Sequence, residues 1–353
     1  VLWQERASTK IKPYLKYKDT DVQGLSFPEN DVENPIWIYW NKGIEQSVLN
    51  QTLRDIELLL IDDGSTDNSF LICEKYKKRD NRIQLYTNKN VGQGLERNFG
   101  IKKSTGEYIA FLDSDDQYKE NMLEKLYQRA IETNADMVSC RIVDMHDGKI
   151  IKEHPLNDKI LIGCKEIKAA MADMISYEEK DGYSGCIAVW DSIFKRDIIE
   201  NEGIQFFSER DVYSEDLLFK LMFMTHAKKI AFCTEAVYLY RVNDTSFTHR
   251  IDVSVLKRIV NLYNEVCILF GDVLKDYNLK RRIINRTFFT LRFNINKISK
   301  TRDAKDFYRI LLNDQEIMRV IDLYQPTNLK NIVVYYSLKW KLIRVFEILS
   351  KIN

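Results

Sequence analysis

Histidine, proline and paired cysteine are all scarce in this 353-residue chain, and each shortage removes a class of protein. There are only four histidines, and the six cysteines (Cys73, Cys140, Cys164, Cys186, Cys233 and Cys267) form no CxxC pair. Neither a structural zinc site nor a disulfide framework is expected; the thiols read as reduced, most of them as small core residues. No apolar run approaches the roughly 20 residues that a bilayer-spanning helix needs. The N-terminus also lacks the basic segment and apolar core of a secretion signal, so a cytoplasmic location is expected. Strong net charge is missing too, the balance being +1. No nucleic-acid partner is therefore expected for the body of the protein. Residues 251–353 depart from this balance, with 19 basic against 10 acidic side chains, so the tail rather than the body would seek anionic surfaces. Internal repeats and low-complexity segments are absent.

What is present is a regular alternation of short apolar runs and amphipathic segments, after a polar stretch over residues 1–35 that reads as a helical or irregular lead-in. Ile36–Trp40 reads as a strand, 44–53 as a short helix, 56–61 as a buried strand and 67–78 as an amphipathic helix. Strand 82–87, helix 93–103, strand 107–112, helix 119–133 and strand 136–143 follow. This order predicts an α/β fold with right-handed crossovers and a mainly parallel mixed sheet. Residues 36–250 would form the main domain and 251–353 a helical C-terminal region. The last helix is expected over about 330–352, with Val334, Leu338, Leu342, Val345, Leu349 and Ile352 in a stripe that can pack on the domain or lie on a membrane.

Two strands end in acids. The run Glu107-Tyr-Ile-Ala-Phe-Leu112 delivers Asp113, Asp115 and Asp116, and Ile56-Glu-Leu-Leu-Leu-Ile61 delivers Asp62 and Asp63. In open α/β sheets ligands bind beyond the carboxyl ends of the strands, so both acidic ends should share one rim. Carboxylates with a diphosphate nearby suit Mg²⁺ or Mn²⁺, which makes Asp113 and Asp115 candidate metal ligands. The competing account has Asp113 capping the next helix and its neighbours solvated. Asp62 or Asp63 can accept the imide N–H of a uracil ring, while Gly64, Ser65 and Asp67 are explained by turn and capping chemistry alone. Asn90-Val-Gly-Gln-Gly-Leu-Glu-Arg97-Asn98 places Arg97 one turn into a helix at the same rim, where it can meet a diphosphate or Asp63. Glu215 and Asp216 start an apolar helix, a position that macrodipole effects also favour. Arg241 and His249 close a strand-like stretch and can serve a leaving diphosphate. Trp190 marks an aromatic-rich stretch where the acceptor side of a site is expected.

Taken in order, these motifs resemble the inverting family-2 glycosyltransferases of the GT-A fold, in particular bacterial enzymes of capsular and cell-surface polysaccharide assembly. The resemblance covers about residues 47–250. It rests on Leu49-Asn-Gln-Thr-Leu53, Ile61-Asp-Asp-Gly-Ser-Thr-Asp-Asn-Ser69, Arg97-Asn98-x-Gly100, Gly106 through Asp116, Trp190 with Phe194-Lys-Arg196, Glu215-Asp216-Leu-Leu-Phe, and Tyr238-x-Tyr240-Arg241. It implies transfer of a sugar from a nucleotide donor, commonly a UDP-sugar, to a glycan or lipid-linked acceptor. Asp63 with Asp62 would hold the uracil. Asp113 and Asp115 would form the DxD motif, with Asp115 and also His249 at the metal, and Asp216 beside Glu215 would be the general base. The first 46 residues instead resemble capsular-synthesis proteins related to family-32 mannosyltransferases, as though two sequences joined near Ser47. There Tyr39, Trp40 and Asn41 would flank the base. Two rival readings follow: a catalytically impaired nucleotide-sugar binder and a sugar nucleotidyltransferase. Peripheral contact with the inner membrane face through the last helix is a further expectation.

Overall fold

The computed structural model describes residues 2–5, 44–175, 186–242, 254–298 and 304–342. Its first half is built from β1 (Leu2–Glu5), α1 (Ile44–Leu49), β2 (Leu58–Asp62), α2 (Ser69–Lys77), β3 (Ile83–Thr87), α3 (Gln93–Lys103), β4 (Tyr108–Asp113), β5 (Gln117–Tyr118), α4 (Met122–Thr133) and β6 (Met137–His146). Then come β7 (Lys149–Glu153), β8 (Ile160–Ile162), α5 (Gly163–Ile175), β9 (Ser192–Lys195), α6 (Arg196–Asn201), α7 (Glu215–His226) and β10 (Lys229–Arg241). A helical layer follows: α8 (Val255–Phe270), α9 (Leu279–Ile298), α10 (Ala304–Asn313), α11 (Gln315–Asp322) and α12 (Leu329–Lys339).

The strands form one mixed sheet in the order β3-β2-β1-β4-β9-β6-β10-β5, with β7 added beside β6 and β8 beside β10. The β3-β2-β1-β4 half is parallel. The β9 strand runs antiparallel to both β4 and β6, while β6 and β10 are parallel to each other. All five residues of β2 are buried, as expected of a parallel strand covered on both faces. Successive side chains point to opposite faces of a strand. Accordingly, Leu59, Ile61, Ile109 and Phe111 enter one hydrophobic cluster, and Leu58, Leu60, Ala110 and Leu112 the other. The second cluster includes Val48 of α1 and the apolar face of α4. The first runs without a break through Phe206 and Phe219 to Ile283, Leu291 and Leu338, so the C-terminal helices cover that face as a packed layer.

The structure alters the sequence reading in two places. The opening stretch is not irregular throughout, because Leu2–Glu5 fills the slot between β2 and β4, with Leu2 opposite both Leu59 and Phe111. Four residues are too few to display a period, and this strand is specified by backbone partners on both sides rather than by its own pattern. The strand expected at Ile36–Trp40 lies outside the described residues, as does most of the segment that resembles family-32-related proteins. Residues 343–352 of the expected last helix, with Val345, Leu349 and Ile352 of its stripe, lie outside the described residues, and α12 itself ends at Lys339: Lys341 takes φ 54°, and Leu342 N–H reaches back to Ser337 O at 2.9 Å. This is a left-handed helix stop. Val334 and Leu338 of the expected stripe are buried against the core. Among the described residues no helix is long and apolar enough to cross a membrane.

Candidate active site

Arg97 lies at the centre of the rim where β2 and β4 end, on the second turn of α3. Its side chain is almost fully buried, with Nη2 2.8 Å from Asp113 Oδ1, and Nη1 2.5 Å from Asp216 Oδ1 and 3.4 Å from Glu215 Oε1. One guanidinium thus joins the end of β4 to the start of α7, two segments more than 100 residues apart in the chain. Its planar fork of donors suits this bridging. Burial works against the charge on Arg97, but Asp216, Asp113 and Glu215 more than offset it and raise its pKa. Burial also raises the Glu215 carboxyl, to about 7, with the Asp216 charge adding to the effect while Arg97 and Gln93 pull it back. The two acids are therefore unlike: near neutrality Glu215 is poised to hold a proton, and Asp216 is the less buried partner of the cation.

The contacts close into a ring. Asp216 Oδ2 accepts from Val189 N–H at 3.4 Å. The next residue, Trp190, stacks on Tyr238 with ring centroids 4.2 Å apart and on Tyr240 at 5.6 Å. Tyr238 donates its hydroxyl to Asp116 at 2.8 Å, and the Asp116 N–H returns to Asp113 O at 3.1 Å. Asp113 leads back to Arg97. Lys220, one turn past Asp216, fixes the loop that carries Val189 and Trp190. Its ammonium donates to Cys186 O at 2.8 Å, Ala188 O at 2.9 Å and Asp191 Oδ1 at 2.6 Å, so all three of its donors are used.

A second set of contacts ties in the end of β2. Asp63 accepts Val91 N–H at 2.7 Å and Gly92 N–H at 2.9 Å, while Asp62 accepts from Ser65 N–H and Thr87 Oγ1, each at 3.2 Å. Gly92, at φ 100°, precedes Gln93, whose amide donates to Glu215. Gly94 is required by space: a Cβ there would lie 2.1 Å from Phe207 O. Asn98 then clamps the same loop, donating to Phe206 O at 2.9 Å and accepting Phe206 N–H at 2.7 Å. Fully buried Glu96 accepts from Asn88 at 2.7 Å beside Asp63. Burial raises its pKa to about 7, Asn88 opposes the rise, and contact with Asp63 adds to it.

The expected site residues fall as follows. Asp113, Glu215, Asp216 and Arg97 meet directly, and Arg97 pairs with Asp113 and Asp216 rather than with Asp63. Asp62 and Asp63 stand at the same rim, each carboxylate already holding its own loop. Asp115 is exposed in the turn after β4. Arg241 ends β10 and gives its backbone N–H to Asp116 Oδ1 at 2.7 Å. Burial, then the charges of Asp115 and Asp113, push the Asp116 carboxyl well above its usual range. Trp190 is 9% exposed, one face being covered by Tyr238. Tyr39, Asn41 and His249 lie outside the described residues. His154 and His226 pair with Asp144 and Glu202.

Among the described residues no group of three or more His, Cys, Asp or Glu side chains is arranged to hold a metal ion. The oxygen donors of Asp113 and Asp115 suit a hard divalent ion that takes its other ligands from phosphate and water, although Asp113 Oδ1 is shared with Arg97. Sequence reasoning missed Gln93, Glu96, Asp191 and Lys220. Lys220 had a signal, a single charge inside Leu217-Leu-Phe-Lys-Leu-Met-Phe223, where an unpaired cation would not be buried.

Comparison with known proteins gives a consistent result. The model of the family described as "Glycosyl transferase family 2" matches residues 46–198. Glycosyltransferase GlyG of Streptococcus pneumoniae serotype 4 is 32% identical over 253 residues, which cover 66% of this chain and 81% of GlyG. The uncharacterized glycosyltransferase EpsJ of Bacillus subtilis is 31% identical over 57% of this chain, and the cholesterol galactosyltransferase of Borreliella burgdorferi 30% identical over 55%. Those matches span only 57% and 54% of the two relatives' own lengths. Among solved structures, S. aureus TarS 1-349 in complex with UDP-GlcNAc aligns with a TM-score of 0.59 at 16% identity, over 87% of this chain and 86% of that one. This likeness shows a shared GT-A fold.

Proposed function

The chain belongs to glycosyltransferase family 2, and from that premise we propose an inverting enzyme that moves a sugar from a UDP-sugar to a glycan or lipid-linked acceptor. In this reading residues 36–250 are the catalytic unit and 251–353 a helical layer upon it. The work would be cell-surface polysaccharide assembly of the capsular type, in the cytoplasm at the inner membrane face. One observation carries the proposal: a single buried arginine joins the acid that ends β4 to the acid pair that starts α7, so candidate donor-side and acceptor-side groups share one centre.

The proposed chemistry is a single displacement. Asp216 takes the proton of an acceptor hydroxyl, whose oxygen attacks the anomeric carbon. The bond from that carbon to the diphosphate oxygen breaks on the opposite face, and its electron pair leaves with the nucleotide. Glu215 next to it, with a pKa raised to about 7, keeps the pair from carrying two full charges, so Asp216 is the base. Asp113 and Asp115 would hold Mn²⁺ or Mg²⁺, which when bound supplies positive charge against the diphosphate. Arg97, Arg241 and His249 would share that task, and Arg97 would trade part of its carboxylate pairing for phosphate. Asp63 and Asp62 would face the uracil, with Tyr39 and Asn41 flanking it, and Trp190 with Tyr240 would border the acceptor. The UDP class is supported by TarS, which shares the fold and was crystallised with UDP-GlcNAc.

The test is UDP release from a panel of UDP-sugars with and without Mn²⁺. Asp216→Asn is expected to lose turnover by about 10²–10⁴-fold while a UDP-induced thermal shift persists, and Asp115→Ala to lose the Mn²⁺-dependent part of that shift. Nucleotide-sugar binding without turnover by the wild type would favour the impaired binder. Pyrophosphate release from a nucleoside triphosphate would favour the nucleotidyltransferase.

A further inference from the structure

Helix α12 is apolar on two sides, and among the described residues only one of them is packed against the core. Asn331, Val334, Tyr335, Ser337 and Leu338 are buried against α9 and α11 and the core. On the other side Leu329 is 77% exposed, Trp340 62% and Tyr336 40%, with Ile332 and Val333 also exposed. At about 100° per residue these five positions fall within an arc of about 100°. They therefore make a continuous strip along the whole helix rather than scattered surface residues. A soluble surface seldom carries such a strip without a partner. The face differs from the expected one: the stripe through Val334 and Leu338 packs inward, and the strip on the opposite side is left outside.

We propose that this outer face of α12 is a docking surface for an anionic lipid bilayer. Charge and side-chain type select this occupant. Tyr336 and Trp340 lie together with ring centroids 4.8 Å apart, beside exposed Lys339 and Lys341. Amphipathic aromatic rings with lysines at their edge suit the headgroup layer, where the ring enters and the ammonium stays at the phosphates. Lys339 reaches Asp322 at 3.6 Å across a solvent-exposed pair, a weak tie that a phosphate can replace. The surplus of 19 basic over 10 acidic side chains in residues 251–353 draws this region to negative lipid and repels a second copy of itself. The inference does not depend on sugar transfer.

The experiment uses the full chain and sedimentation with phosphatidylglycerol-containing or pure phosphatidylcholine vesicles, at low and high salt. Wild type is expected to bind the anionic vesicles, less so at high salt. The triple variant Ile332→Gln, Tyr336→Gln, Trp340→Gln should bind at least about tenfold more weakly, with its thermal midpoint little changed because all three side chains face outward. Failure of the wild type to sediment, equal binding to neutral vesicles, or full binding by the triple variant would each overturn the proposal. So would a concentration-dependent dimer of the wild type that the triple variant abolishes, since a second copy would then be the occupant.

Discussion

Replacing Arg97 by methionine removes the one cation that the described structure places among Asp113, Glu215 and Asp216, at 2.8, 3.4 and 2.5 Å. Methionine keeps much of the stem volume, so the change isolates charge and hydrogen bonds. Breaking a buried ion pair by deleting one partner costs about 3–5 kcal/mol, and here three carboxylates lose the same partner. For a chain of this size, about 2 °C per kcal/mol gives a fall of roughly 6–10 °C in thermal midpoint. The pH dependence follows from the sign of the shift. Arg97 holds the Glu215 pKa down, yet burial has already raised it to about 7. Without Arg97 the folded-state pKa rises further, so the folded protein holds more protons than the unfolded chain. Stability of that kind is lost as pH rises. The deficit of Arg97→Met against wild type should therefore be larger at about pH 8 than at about pH 6, measured by thermal or urea unfolding at both values. A deficit below about 1 kcal/mol, the range of a surface pair, or one that grows as pH falls, would refute the reasoning.

Three more outcomes can be checked. Lys220→Met leaves Asp191 as a buried charge that has lost its 2.6 Å partner, and should cost about 3–5 kcal/mol. Adding Asp191→Asn should recover most of that loss, whereas simple additivity would show that the pair is not coupled. Glu96, raised from 4.5 to about 7 by burial, makes the folded state bind the extra proton between those values, so stability falls as pH rises through that window. Glu96→Gln should flatten that part of the stability–pH curve, and an unchanged slope would assign it elsewhere. Gly94→Ala places a methyl group 2.1 Å from Phe207 O, against backbone that cannot swing away. A loss of about 1–3 kcal/mol, the usual cost of overpacking, and altered protease sensitivity near residues 204–209 are expected; a neutral result would mean that this loop yields freely.

The alternating elements from residue 44 to 146 were legible because each carries its own signal. Four apolar residues delivering an acid made β2 and β4 visible, and the helical spacing of Leu123, Leu126 and Ala130 made α4 visible. The acids Asp113, Glu215 and Asp216 could be picked out by type, and the family resemblance set them in one site. Their electrostatic partner could not be read, since Arg97 fits a diphosphate as well as a carboxylate on chemistry alone. Lys220 and Asp191, 29 residues apart, likewise become a pair only when α7 packs beside the loop.

By itself, the order of apolar and polar residues determined an α/β sheet with acidic strand ends, since side-chain period and turn chemistry are local properties that short windows encode. Only the tertiary structure decided that Leu2–Glu5 completes the sheet, that one arginine gathers acids from β4 and α7, and which side of α12 meets the core. Those outcomes depend on which surfaces are desolvated together, and that is settled by contacts between segments far apart in the chain.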